Sequence, residues 1–136
     1  MNFRDDILPV YGDQIRVSRG LYYHHGIYVD DANIIQFGSL SRELNPEDAL
    51  VLISDLKTFL RNGVLEVRVF TEEELKTKKN SDEVVKYALS KLGEKGYNII
   101  TNNCEHFCNE CIFGVKQSEQ VDSVLSILDL LFSKKK

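Results

Sequence analysis

Asn102-Asn103-Cys104-Glu105-His106-Phe107 is the stretch whose reading decides the fold, taken together with His24-His25-Gly26-Ile27-Tyr28 far upstream. A cysteine in this setting with a histidine at a distance suggests a thiol nucleophile and its base. A thiol becomes useful near neutral pH only if its thiolate is stabilised, and a helix N-terminus or a nearby imidazole supplies that. Asn102 or Asn103 can cap a helix running to about residue 113, which leaves Cys104 in the first turn. Unpaired backbone N–H groups there favour a thiolate and can also hold an oxyanion.

Cys104, Cys108 and Cys111 fall at i, i+4 and i+7, along one stripe of that helix. Cys108 and Cys111 read as core, since free cysteine is among the most buried residue types. A zinc site fits poorly, because a second ligand pair is missing and His106 points about 200° around the helix from Cys104. No metal and no other cofactor is expected. Because His106 faces away, the base must come from His24 or His25, on a strand that sends neighbours to opposite faces. Periodicity leaves the choice open: His25 shares a face with Ile27 and Val29, His24 with Gly26 and Tyr28. Gln36, in the next strand, can hold an imidazole tautomer as the third member of a triad, or be an ordinary edge residue.

Outward from these two motifs, short apolar or alternating runs at 14–18, 22–29, 33–37 and 64–70 predict strands, with a hairpin turn at 30–33. The run at 64–70 alternates as a half-buried strand and is placed on the flank of the sheet. Residues 49–53 are ambiguous between strand and helix. Ser54 is the expected cap of a short helix through Leu56, Phe59 and Leu60, stopped by Asn62-Gly63. Asn80 and Glu83 form a capping pair for a helix with a stripe of Val85, Ala88, Leu89 and Leu92, ended by Gly93 and Gly96.

Residues 118–136 place Val121, Val124, Leu125, Leu128, Leu131 and Phe132 on one face before Lys134-Lys135-Lys136. This C-terminal amphipathic helix with a basic tail has two readings, packing on the core or resting on anionic lipid.

At 136 residues the chain fits one domain, 1–136, that can bury a core without disulfides or metals. A net charge of −4 gives no reason to expect a nucleic-acid partner. The N-terminus has no apolar signal-peptide core, no run is long enough to span a bilayer, and three clustered cysteines suit a reducing compartment. A cytoplasmic protein is expected, at most peripheral to a membrane through the terminal helix.

Together the motifs resemble the lecithin:retinol acyltransferase family, with its H-Ras-like suppressor phospholipase/acyltransferases, in the NlpC-type papain-like superfamily. The resemblance begins at Tyr11-Gly12-Asp13-Gln14-Ile15, continues through Tyr23-His24-His25-Gly26-Ile27-Tyr28-Val29 and peaks at Asn103-Cys104-Glu105-His106-Phe107. Cys111-Ile112-Phe113-Gly114 resembles the sequence that follows the nucleophile. It implies an α+β, circularly permuted papain-like fold in which an antiparallel sheet bearing the histidine precedes the cysteine helix. The family pattern puts His24 in the catalytic place and His25 in a variable one, with Gln36 third and Cys104 the nucleophile. Gln36 is a departure, since lipid-acting members often carry histidine there. Tyr22 and Asn103 are weaker oxyanion or substrate candidates. The implied activity is acyl transfer or lipid acyl hydrolysis through a thioester on Cys104, with an acyl-lipid substrate. The alternatives are a cysteine peptidase or amidase and a non-catalytic interaction domain.

Overall fold

The computed structural model describes residues 1–39, 49–95 and 103–114. The alternating runs of the N-terminal half pair into a six-stranded sheet of order β1-β6-β2-β3-β4-β5. Its strands are β1 (Asn2–Arg4), β2 (Gln14–Ser18), β3 (Tyr23–Asp30), β4 (Asn33–Gly38), β5 (Leu50–Ser54) and β6 (Glu66–Val69). Each neighbouring pair runs antiparallel. The predicted hairpin joins β3 to β4, and Asp30 holds it by accepting from the Ala32 N–H and the Asn33 amide.

Two faces of this sheet carry two apolar clusters, as a period of two requires. One face buries Ile27, Ile35, Phe37 and Val51 against α3 (Ser81–Ser90) and α4 (Asn103–Phe113), which contribute Val84, Val85, Ala88, Phe107, Cys108, Cys111 and Ile112. The other buries Ile15, Val17, Ile34 and Val67 against Phe59 of α1 (Leu56–Leu60). Cys108 and Cys111 are therefore core, as their spacing predicted.

Several expectations need correction. The strand at 66–69 is not the flank, because β1, which the sequence did not announce, pairs outside it. Gln36 is no edge residue, since β4 lies between β3 and β5 and buries the side chain. The ambiguous segment is strand β5. Asp55, not Ser54, caps α1, accepting from the Thr58 N–H at 2.8 Å; β5 claims Ser54 as its last residue. That helix does run through Leu60, and it is stopped by Arg61 as well as Asn62, both in left-handed conformations, φ 48° and 64°. Asn80 and Glu83 do form both halves of a capping box, but α3 buries Val84, Val85 and Ala88, while Leu89 and Leu92 stay largely exposed. The short helix α2 (Glu72–Thr77) was not foreseen, although Thr71-x-x-Glu74 carries the capping-box signature. Gly96, the Asn102 cap and the helix and tail at 118–136 lie outside the described residues. Among the described residues, no helix is long and apolar enough to cross a membrane.

Candidate active site

The two histidines of β3 leave the strand on opposite faces, and each ring is buried against a different helix. His24 turns toward α1, its ring centroid 5.0 Å from that of Phe59 at an interplanar angle of 33°. Arg19 holds that helix in place by donating to the Phe59 and Leu60 carbonyls at 2.6 and 3.4 Å, a cation at a helix C-terminus. His25 turns toward α4, with its Nε2 3.9 Å from a Glu105 oxygen and its ring edge-on to Phe3.

Gln36 sits diagonally across from His24, and its Oε1 lies 2.8 Å from His24 Nε2. The amide orientation follows from its other partners: Nε2 of Gln36 donates to Ser54 Oγ at 2.7 Å and to the Ile34 carbonyl at 3.2 Å. Ser54 in turn donates to the Asp55 carbonyl at 3.1 Å, so its lone pair is the one offered to Gln36. Oε1 must then accept from His24, which places the imidazole proton on Nε2 and makes Nδ1 the basic nitrogen. Ser54, the residue expected to cap α1, thus serves as the anchor of Gln36.

His25 has a mirror arrangement with the opposite amide end. Gln14 Oε1 accepts from Arg68 Nη1 at 2.8 Å, so Gln14 Nε2 is left to donate to His25 Nδ1 at 3.0 Å. Burial, with the charges of Arg16, His24 and Arg68 around it, pushes the His25 pKa down to about 3. His25 is neutral at any ordinary working pH, and with so low a pKa and its Nδ1 lone pair taken by Gln14 it is a poor proton acceptor.

Cys104 enters from the first turn of α4, and only 8% of it is exposed. Its Sγ lies 3.6 Å from the Tyr23 carbonyl, and the His25 backbone N–H points at the sulfur. The thiol thus meets β3 at the two peptide groups that bracket His24. Burial raises the thiol pKa above its ordinary value and outweighs the lowering by the backbone N–H groups of His25, Glu105 and Cys104. The helix terminus acts in the direction the sequence predicted, but burial is the larger effect, so the resting side chain is a thiol.

The structure therefore brings His24 and Gln36 into direct contact on the α1 face and sets Cys104, arriving from α4 on the other face, against the backbone on either side of His24. Tyr22 lies half-buried in the turn between β2 and β3, its carbonyl accepting from the Arg19 N–H at 2.8 Å. Asn103 opens α4, and its side chain is outside the described residues. Sequence reasoning missed Ser54 as a partner, the Phe59 ring, and the pair Gln14 and Arg68. None of these carries a local motif; each arrives from another strand or helix.

The chain is similar to known proteins along most of its length. The chain is 31% identical over 129 residues to human phospholipase A and acyltransferase 2, covering 87% of this chain and 79% of that protein. Mouse phospholipase A and acyltransferase 3 is 30% identical over 131 residues, 88% of this chain and 80% of its own length. Rat lecithin retinol acyltransferase is 29% identical over 148 residues, 88% of this chain and 61% of its own. With the lecithin retinol acyltransferase family model matching residues 8–117, most of the sheet and all of α4, the chain belongs to the lecithin retinol acyltransferase family.

Proposed function

We propose that this protein is a cysteine-dependent acyltransferase or lipid acyl hydrolase that works through a thioester on Cys104. The observation that carries the reading is the seat of the Cys104 sulfur, 3.6 Å from the carbonyl that precedes a His24 whose tautomer Gln36 holds. A thiol kept protonated by burial needs a base at the moment of attack, and His24 Nδ1 is the nitrogen left basic. The names of the relatives, phospholipase A and acyltransferase and lecithin retinol acyltransferase, favour an acyl-lipid over a peptide as substrate. The order of elements, histidine strand before cysteine helix, supports the reading of the α+β fold as a circularly permuted papain-like one.

In this mechanism the Cys104 Sγ–H proton passes to His24 Nδ1 as sulfur bonds to the ester carbonyl carbon. The Cys104 backbone N–H stabilises the oxyanion, with Tyr22 and Asn103 as further candidates for that role. Collapse breaks the carbon–oxygen bond, and His24 returns the proton to the leaving alcohol. Water, an alcohol or an amine then attacks the thioester, losing its proton to His24, and as the C–S bond breaks His24 returns that proton to sulfur and regenerates the thiol. The basic amphipathic segment at 118–136 is a sequence-level candidate for contact with the lipid surface.

The test is intact mass and product release after incubation with short-chain phosphatidylcholine, for wild type, Cys104→Ala and His24→Ala. The expected result is fatty acid release or a one-acyl mass gain in wild type, absent from Cys104→Ala and reduced about 10²- to 10⁴-fold in His24→Ala. Full turnover by Cys104→Ala would overturn the thioester. Cleavage of peptides with phosphatidylcholine untouched would transfer the same residues to a peptidase or amidase.

A further inference from the structure

Gln14, Arg68 and His25 form a buried polar chain that the proposed chemistry does not use. Arg68 is 6% exposed and Gln14 fully buried, where polar groups are costly unless engaged, and of the Arg68 nitrogens Nε alone has no hydrogen-bond partner among the described residues. Arg68 donates from Nη1 to Gln14 at 2.8 Å and to Asn109 Oδ1 at 2.7 Å, and from Nη2 to Glu74 at 2.9 Å. Its guanidinium also lies over the Phe70 and Phe113 rings, at 4.7 and 5.4 Å. Asn109 and Glu105 are one turn apart on α4, so one face of that helix is bonded to Arg68 of β6 and, a turn earlier, lies alongside His25 of β3, with 3.9 Å between Glu105 and the ring.

We propose that Arg68, Gln14 and His25 are a positioning relay that sets the rotation and depth of α4 against β3, and so seats the Cys104 sulfur on the two backbone groups that bracket His24. The relay works through donors of fixed direction. Arg68 takes the Gln14 oxygen and forces its amide nitrogen onto His25 Nδ1, which anchors the ring whose own backbone N–H faces the sulfur. His25 is then a positioning residue, though it stands next to the base in sequence. The groups facing it are Arg16 and Gln14 from β2, Arg68 from β6, Glu105 from α4 and Phe3 from β1, with His24 adjacent in β3 on the other face. Glu105 is the carboxylate among them, 3.9 Å from Nε2, and burial together with the neighbouring arginines outweighs it.

The activity arm of the test rests on the lipid reading above; the thiol arm does not. His25→Asn places an amide oxygen near the lost Nδ1 and keeps the acceptor for Gln14, whereas His25→Leu and Gln14→Leu remove one end of the bond. Rates of iodoacetamide labelling at Cys104, read by peptide mass across pH 6–10, report the seat of the sulfur without substrate. kcat and KM on short-chain phosphatidylcholine report its consequence. The expected result is faster labelling of Cys104 in both leucine variants, with kcat down on the order of 10- to 100-fold at little-changed KM, and recovery of both in His25→Asn with the wild-type pH profile. Asn109→Ala, at a half-exposed site, must move labelling the same way by a smaller factor, and it covers the case in which a leucine variant fails to fold. Wild-type labelling in the leucine variants and Asn109→Ala would overturn the relay. So would a His25→Asn enzyme as inactive as His25→Leu and lacking the acid limb of kcat, since His25 would then be the base. Wild type inert toward lipid would defeat the functional reading alone and leave the labelling result standing.

Discussion

The two faces of β3 carry the same side chain, each bonded to a glutamine, and yet the structure gives them different chemistry. On the α1 face, Gln36 is held by a serine hydroxyl and a carbonyl, both acceptors, so it turns its oxygen to His24 and fixes the proton on Nε2. On the α4 face, Gln14 is held by an arginine, a donor, so it turns its nitrogen to His25 and occupies Nδ1. The first glutamine leaves a basic nitrogen for chemistry, and the second consumes it. What distinguishes a candidate base from a structural imidazole here is the partner of the partner, two bonds away from the ring.

The strongest way to break this contrast is to take the acceptor from His24. Gln36→Leu removes the group that selects the Nε2–H tautomer, and phosphatidylcholine turnover is expected to fall by about 100-fold in kcat with KM nearly unchanged. A variant with wild-type kcat would mean that Gln36 is packing and nothing more.

A second measurement addresses the other face through pH. The His25 pKa is about 3 in the folded protein and near the ordinary value of 6.5 in the unfolded chain, so between those limits the unfolded state binds more protons. Stability must then fall as pH drops from about 6.5 toward 3, by on the order of 2 kcal/mol over the part of that window where the fold survives. Thermal melting between pH 4 and 7 reads the slope, and His25→Asn should flatten it. An equal slope in that variant would assign the loss to the carboxylates instead.

The extent to which this contrast was legible in the sequence varies with the range of the interaction. Alternation put His24 and His25 on opposite faces, and the Asp30–Asn33 turn joined the right strands, because both depend on neighbours in the chain. The stripe at Cys108 and Cys111 was core for the same reason. Errors came where two local signals competed. Ser54 and Asp55 are both good caps, and only the β4–β5 register, which carries Ser54 to Gln36, settles that Asp55 is the cap. The strand at 66–69 looked like a flank because β1, only three residues long, has no pattern of its own. The bond from Arg68 to Gln14 spans 54 positions and three strands, and no periodicity in the chain announces it. The choice of His24 over His25 rested on resemblance, and no pattern in the chain foretold that the two rings would meet opposite ends of a glutamine amide.

The smallest expected effect tests how close the α1 face must stand to its histidine. Gly26 follows both histidines, and a Cβ built there would lie 2.8 Å from Ile34 Cγ2 and 2.9 Å from Phe59 Cε1, closer than carbon atoms pack. The missing side chain is therefore what lets the Phe59 ring reach His24, and Phe59 is itself 1% exposed with no room to retreat. Gly26→Ala forces α1 outward or the ring off its rotamer, at a cost of about 1–2 kcal/mol, seen as a lowered melting temperature. Because the pressure falls on the α1 face alone, Cys104 labelling should keep its wild-type rate while kcat drops. Labelling that rose along with the loss of kcat would mean that the two faces move as one body, and the division of roles across β3 would fail.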